Sequence, residues 1–261
     1  ADSFEIAVLL LFGLAIGSFL NVCIVRLQTG QSVVRPASHC RACKRNLLWF
    51  ENVPVVSWLF LRGRCRTCRA QIPALFPMVE LATPLIFVLQ YWYLGWSELL
   101  LVRLIFSSAM VVLFVIDLQS RILPNIVTLP GIVVGLLAAF ALDPGWESAI
   151  LGAMLGAGGL LLVAETYHRL RQEQGVGMGD VKMLAMIGAF LGWQLMLMTL
   201  LLASLLGSVV GIGIIVSGRG DSKYALPFGS FLALAAVATS TTNVSVFSKI
   251  RSCHCHLSDF D

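Results

Sequence analysis

Eight apolar runs limit what this chain can fold into. A membrane-spanning helix needs about 20 mainly apolar residues. Runs approaching or exceeding that length cover residues 4–25, 75–94, 99–116, 126–142, 149–163, 181–191, 195–216 and 226–238. Three are short or weak, so the expected range is seven to nine spans. Only 12% of the 261 residues are charged and 58% are hydrophobic, against roughly 25% charged in soluble domains. The composition excludes a soluble globule. It predicts an all-α polytopic membrane protein of about eight transmembrane helices, with a polar loop between the first two. The first run lacks a basic stretch before it and an Ala-x-Ala site after it, so it reads as a retained helix rather than a cleaved signal.

Charge placement sets the expected topology. Residues 26–72 hold nine of the 18 Lys and Arg. If the runs alternate across the membrane, this segment shares a side with Arg121, Arg169, Arg171, Arg219 and Lys223, which brings 14 of the 18 to one face. Cytoplasmic loops collect Lys and Arg, so that face is expected to be cytoplasmic. Asp143, Glu147, Trp96, Trp146 and Trp193 fall opposite. The bilayer is the expected partner of these runs, and no nucleic-acid partner is expected. The expected division is a first transmembrane helix (1–25), a cytoplasmic four-cysteine loop (26–74), a transmembrane core (75–238) and a polar tail (239–261).

Cys40-x-x-Cys43 and Cys65-x-x-Cys68 lie in the basic segment. Each Cys-x-x-Cys turn can offer two thiolates to one metal, and two such turns close a tetrahedral structural zinc site. Arg41, Lys44, Arg64 and Arg66 beside them favour thiolate over thiol. Two disulfides are the plainer alternative, and a reducing cytoplasm argues against them. Metal binding would fold a loop that lacks a core of its own.

Two aspartates stand at the edges of apolar runs. Asp117 closes Val111–Asp117, and Asp180 follows the glycine-rich stretch Gly175-Val176-Gly177-Met178-Gly179. Charge beside hydrocarbon is expensive and usually functional. Asp180 alone could be a helix N-cap. Asp117 sits at a helix C-terminus, where the macrodipole disfavours an anion, although Arg121 could pair with it if the helix continues. Placed together on one face, the two can act as an aspartyl pair. Neighbouring carboxylates share one proton, so one can draw a proton from water while the other polarises a carbonyl. Gly177 and Gly179 would let a substrate strand approach the loop. No His-Glu-x-x-His metal motif is present, and His39, His168, His254 and His256 are not placed mid-membrane to serve a serine.

Taken together, these residues resemble the bacterial type IV prepilin leader peptidase/N-methyltransferases, membrane aspartic proteases of the Gly-x-Gly-Asp group. The resemblance runs to about Ala236. It is carried by Gly17-Ser18-Phe19-Leu20-Asn21-Val22, the double Cys-x-x-Cys loop with Glu51-Asn52-Val53-Pro54 and Ser57-Trp58-Leu59, and Pro77-x-x-Glu80-Leu81. Further along the chain come Asp117 with Leu123-Pro124-Asn125 and Thr128-Leu129-Pro130, Gly177 to Lys182, and Pro227-Phe228-Gly229. The resemblance implies that Asp117 and Asp180 are catalytic. It implies cleavage of prepilin or type II secretion pseudopilin leaders after a glycine at the cytoplasmic face of the bacterial inner membrane. N-methylation with S-adenosylmethionine would follow, beside the pilus or secretion machinery. Glu51 and Asn52 are candidates for the donor site, with a structural role as the alternative. The tail through Cys253, His254, Cys255 and His256 departs from the family pattern.

A carrier that moves protons or cations through the same carboxylates is the competing reading. Carriers show internal repeats and helices interrupted near the midplane; no clear repeat is found here. Glu80 and Arg103 lie within apolar runs and could pair across helices. Lys182 could reach lipid phosphate or the nearby aspartate. Met183, Met186, Met196 and Met198 read as packing.

Overall fold

In the computed structural model, residues 3–33, 38–171, 177–217 and 227–241 are described. All regular elements among them are helical. The expectations for Gly175, Val176, Arg219, Lys223 and the Cys253–His256 tail lie outside the described residues. Contacts divide the chain into a first unit up to Trp92 and a second from Tyr93 onward.

In the first unit, α1 (Ser3–Gln28) and α3 (Leu75–Leu94) are each long and apolar enough to cross a membrane. Gly13 and Gly17 bring them together: a Cβ at Gly17 would lie 2.9 Å from the Glu80 Cα, and one at Gly13 would collide with Pro84. Small residues permit this approach where apolar burial gives helices in lipid no reason to associate. Tyr91 on α3 also donates to Glu5 on α1. The intervening loop carries a 3₁₀ turn, Trp49–Asn52, and a short helix, α2 (Val56–Phe60).

The second unit contains α4 (Glu98–Ser120), α5 (Asn125–Ala138), α6 (Trp146–Arg171), α7 (Met178–Val216) and α8 (Phe228–Ser240). Of these, α4, α6 and α7 reach membrane-spanning length, while α5 and α8 are shorter apolar helices. Its core is formed by residues such as Phe106, Met110, Leu113, Met186, Ile187 and Leu232. Met183, Met186 and Met196 are buried there, the packing role expected of them. Along the α6–α7 seam, Gly152 and Gly156 face Gly188, Gly192 and Leu184 so closely that added side chains would strike backbone.

The expected break between residues 191 and 195 is present as a kink rather than a loop. Gly192 adopts φ 77° and ψ 172° inside α7, a region open to glycine and strained for other residues. Counting the two arms of α7 separately gives eight apolar helical segments, as the sequence predicted. Several bounds differ from expectation. Helix α4 continues three residues past Asp117, α6 extends to Arg171, and α5 stops at Ala138 where the chain turns. Helix α8 keeps the expected 13 residues but begins and ends two later.

Glu80 and Arg103 fall in different units, and each finds a partner inside its own: Glu80 accepts from Asn21 and the Val55 N–H. Arg103, buried in the second unit, donates to the Phe190 carbonyl.

Candidate active site and cysteine knuckle

Asp117 lies in the last turn of α4 and is buried, 4% exposed. The helix ends at Arg121, whose φ of 54° is left-handed and whose N–H donates to the Asp117 carbonyl. The Asp117 carboxylate turns instead toward the start of α8. Oδ2 accepts the Ser230 backbone N–H at 2.6 Å and the Ser230 hydroxyl at 2.8 Å. An anion disfavoured at the C-terminus of its own helix is thus received by the N-terminus of another, where orphan N–H groups and the positive dipole end favour negative charge.

Asp180 is not the N-cap of α7. Gly177 is, and Asp180 is the third helical residue, its N–H bonded to the Gly177 carbonyl. Its side chain is half-buried. One oxygen lies 3.4 Å from where a Gly177 Cβ would sit, and the other approaches α8.

Gly229 makes the pair visible. A Cβ built there would be 3.1 Å from Asp117 Oδ2 and 3.1 Å from Asp180 Oδ1. The two carboxylate oxygens are therefore no further apart than twice that distance. A side chain at this shared neighbour would require the carboxylates or the start of α8 to give way by a few tenths of an ångström. Sequence reasoning placed Asp117 and Asp180 on one face, and the structure brings them together around α8. It did not single out Ser230 or the role of Gly229. The available signal was a hydroxyl directly after Pro227-Phe228-Gly229, at the third position of an apolar helix, where a backbone donor is unpaired.

Neighbouring contacts hold the pair in register. A Cβ on Gly179 would come within 2.9 Å of the Leu123 Cβ, so this glycine lets the α4–α5 connection close on the α7 start. Lys182 donates to Asn125 Oδ1 at 2.8 Å, tying α5 to α7. Asn125 is a partner that the sequence did not suggest for this lysine.

The four loop cysteines also converge. The Sγ atoms of Cys40, Cys43, Cys65 and Cys68 all lie within 4.8 Å of one another, and none is in a disulfide. Cys40 and Cys68 sulfurs are 3.7 Å apart. With a Zn–S bond of about 2.3 Å, a tetrahedral site has sulfur–sulfur edges of about 3.8 Å, so this donor set fits zinc. The two turns repeat each other. Cys40 N–H bonds the Arg45 carbonyl as Cys65 N–H bonds that of Ala70, and Lys44 and Arg69 return to Cys40 and Cys65. Lys44 and Arg69 share positive φ, 59° and 56°.

Backbone N–H groups, more than the flanking cations, lower two of the four thiols. Those of Cys68 and Thr67 lead in pulling Cys65 down to about 6, and that of Cys43 leads in lowering Cys40, whereas at Cys68 the Ala70 N–H is outweighed by burial and the neighbouring cysteine sulfurs, which push it up to about 11. Arg41 and Arg66 instead lie over the rings of Phe76 and Phe50, each 5.6 Å from the ring centre. Glu51 is clamped by Arg45 at 2.7 Å and by the Leu48 N–H at 2.8 Å. It has the structural role that sequence reasoning left open.

Fold and site together define a multi-pass helical membrane protein with a carboxylate pair at helix ends and a four-cysteine knuckle in its first loop. The Bacterial Peptidase A24 N-terminal domain matches residues 11–94, and the Type IV leader peptidase family matches residues 104–212. The chain belongs to the type IV leader peptidase family. Similar curated proteins carry the name prepilin leader peptidase/N-methyltransferase. The Myxococcus xanthus protein is 41% identical across 82% of this chain and 65% of its own length. The Aeromonas hydrophila protein is 39% identical, covering 86% of each chain. The Pseudomonas aeruginosa protein is 33% identical over 87% of this chain and 86% of its own. The chain thus spans just under two thirds of the first relative and most of the other two. No solved structure matches it significantly.

Proposed function

We propose that this chain is a bifunctional enzyme of the bacterial inner membrane. It cuts the leader from type IV prepilins or type II secretion pseudopilins after a glycine, at the cytoplasmic face, and then N-methylates the new N-terminal residue. The observation that carries the reading is the approach of Asp117 and Asp180 to the same atom position at Gly229. The relatives' shared name supports the two activities, and the concentration of Lys and Arg supports the orientation.

In this mechanism one carboxylate is ionised and accepts a proton from the attacking water. The other carries the shared proton and donates a hydrogen bond to the scissile carbonyl. Collapse of the tetrahedral intermediate breaks the C–N bond, and the leaving amine takes a proton from the dyad. Ser230 occupies Asp117 Oδ2 with two donors, which fixes the carboxylate plane and leaves the other oxygen for water. The start of α7 sets Asp180 opposite.

Zinc held by Cys40, Cys43, Cys65 and Cys68 would be structural, since four thiolates leave no open position. S-adenosylmethionine would supply an electrophilic methyl group to the freed α-amine. The pilus or secretion assembly machinery would take up the mature product. A proton or cation carrier is the weaker reading: α7 is interrupted at Gly192, but Asp180 lies at its start and Asp117 at the end of α4, not at a midplane break.

Mass spectrometry of a purified prepilin incubated with this protein and S-adenosylmethionine tests the reading. The expected product lacks the leader and carries one added methyl group. An intact prepilin after prolonged incubation with folded protein would refute it.

A further inference from the structure

The short helix α2 turns its apolar side outward. Val56, Leu59 and Phe60 stand at spacings of three and four, so they share one face. All three are exposed, Phe60 at 85%. Ser57 and Trp58, on the other side, are half-buried. A helix lying against a core in water has the opposite arrangement, with its apolar stripe inward. The preceding turn, Trp49–Asn52, packs against α2 and adds the exposed ring of Trp49. Exposed apolar groups gathered in this way mark a surface that meets a partner.

Hydrogen bonds fix the depth of this face by tying α2 to the start of α3. At the entry to α2, the Val55 N–H donates to Glu80 Oε2 at 2.7 Å. Glu80 is five residues into α3, about 7.5 Å along its axis. A helical side chain leans back toward the N-terminus, so this bond lies level with the first turns of α3. In the middle of α2, the Trp58 indole N–H donates to the Ile72 carbonyl at 3.2 Å. Past its exit, the Ile72 N–H donates to the Gly63 carbonyl at 2.7 Å. Ile72 stands three residues before α3 begins. Helix α3 has 20 residues, about 30 Å of helix, which matches the thickness of the hydrocarbon layer. With no turn to spare, its first turn stands at the boundary between headgroups and acyl chains. Both ends of α2 are held at that level.

We propose that α2 is a membrane-surface helix: Val56, Leu59 and Phe60, with Trp49 beside them, dip into the headgroup–acyl boundary of the bilayer that α3 crosses. The residues around the face fit that partner. Arg62 and Arg64 follow α2 at once and are exposed, and long basic side chains reach from an apolar boundary to lipid phosphate. Tryptophan gathers at the same level. A protein partner would demand no particular depth, whereas the ties to α3 set this face against lipid before any partner arrives. Cys65 and Cys68 come directly after Arg64, so the insertion holds the cysteine knuckle on the bilayer surface rather than free in water. Only the crossing of the membrane by α3 is required, and neither catalytic activity proposed above bears on it.

The test uses the full chain in nanodiscs of phosphatidylethanolamine and phosphatidylglycerol, with Phe60 replaced by trifluoromethylphenylalanine and read by fluorine NMR. A phospholipid carrying a nitroxide near its headgroup and a water-soluble gadolinium chelate are added to separate samples. The same label at Leu85, exposed in the middle of α3, is the lipid reference. The nitroxide lipid is expected to broaden the signal at position 60 at least as strongly as that at Leu85, and more than the chelate does. Stronger broadening by the chelate would put the face in water. Broadening by neither would put it against another protein or a second copy of the chain. Either result overturns the proposal. Phe60→Ser gives an independent readout, because a side chain facing water contributes almost nothing to stability. Trypsin cleavage after Arg62 and Arg64 tracks the population in which α2 has left its place. Loss of the Phe60 ring from lipid is expected to speed that cleavage by about tenfold or more, and a parental cleavage rate would overturn the proposal as well.

Discussion

Replacing Gly229 by alanine asks whether the two carboxylates work through their mutual approach. The new methyl carbon would sit 3.1 Å from Asp117 Cγ, 3.1 Å from Asp117 Oδ2 and 3.1 Å from Asp180 Oδ1. An ordinary carbon–oxygen contact is a few tenths of an ångström longer, so relief requires both carboxylates, or the α8 start, to move by that much. Asp117 cannot yield freely, because Ser230 grips it from the next position in the chain. Overpacking of this kind costs about 1–3 kcal/mol, and a misplacement approaching 1 Å in a reacting group can cost about 100-fold in rate. The expected result is a kcat for prepilin cleavage lowered by about 10- to 100-fold, with KM little changed, because the methyl group touches the dyad. Gly158→Ala is the control, since nothing lies within 4 Å of a Cβ there; its rate is expected to equal that of the parent. A Gly229→Ala protein that cleaves at the parental rate would refute the claim that the carboxylates must meet at this residue.

Ser230→Ala removes the hydroxyl donor from a buried carboxylate and leaves the backbone donor in place. Since hydrogen bonds to charged groups contribute about 1.5–3 kcal/mol, cleavage is expected to fall about tenfold or more. Ser230→Thr, which retains a hydroxyl, should recover part of the rate in the same assay. Gly192→Ala forces a side chain into a region of positive φ and extended ψ that is essentially glycine's alone, at a cost of about 1–3 kcal/mol, and drives it toward Ser148 and Pro144. A lower midpoint in detergent unfolding is the expected outcome. Elemental analysis of purified protein is expected to find one zinc per chain. Chelation or Cys65→Ser should render the loop sensitive to protease while the helices at 98–138 and 178–216 stay protected.

The helices were legible because lipid imposes them: apolar runs of spanning length leave the backbone no other way to satisfy its polar groups. The cysteine cluster was legible from spacing alone, since each Cys-x-x-Cys turn is local. The aspartates stood out by their position against hydrocarbon. What remained hidden depended on distant pairings. Ser230 lies 113 residues from Asp117, and its place after Pro227-Phe228-Gly229 marks a helix start without naming the carboxylate it receives. The Lys182–Asn125 contact was hidden for the same reason. The positive φ of Val55, 60° at the start of α2, was hidden too, because a valine gives no sign of it. The arginines beside the cysteines misled, since their proximity in sequence suggested charge stabilisation where backbone N–H groups do most of the work.

The most direct measurement is cleavage of a purified prepilin by the parent, Asp117→Asn and Asp180→Asn, each shown to be folded by its unfolding transition. The account predicts that the parent removes the leader and that both variants lose cleavage by at least about 1000-fold, since neither aspartate can act without the other. Full activity in either folded variant would contradict the paired-aspartate mechanism.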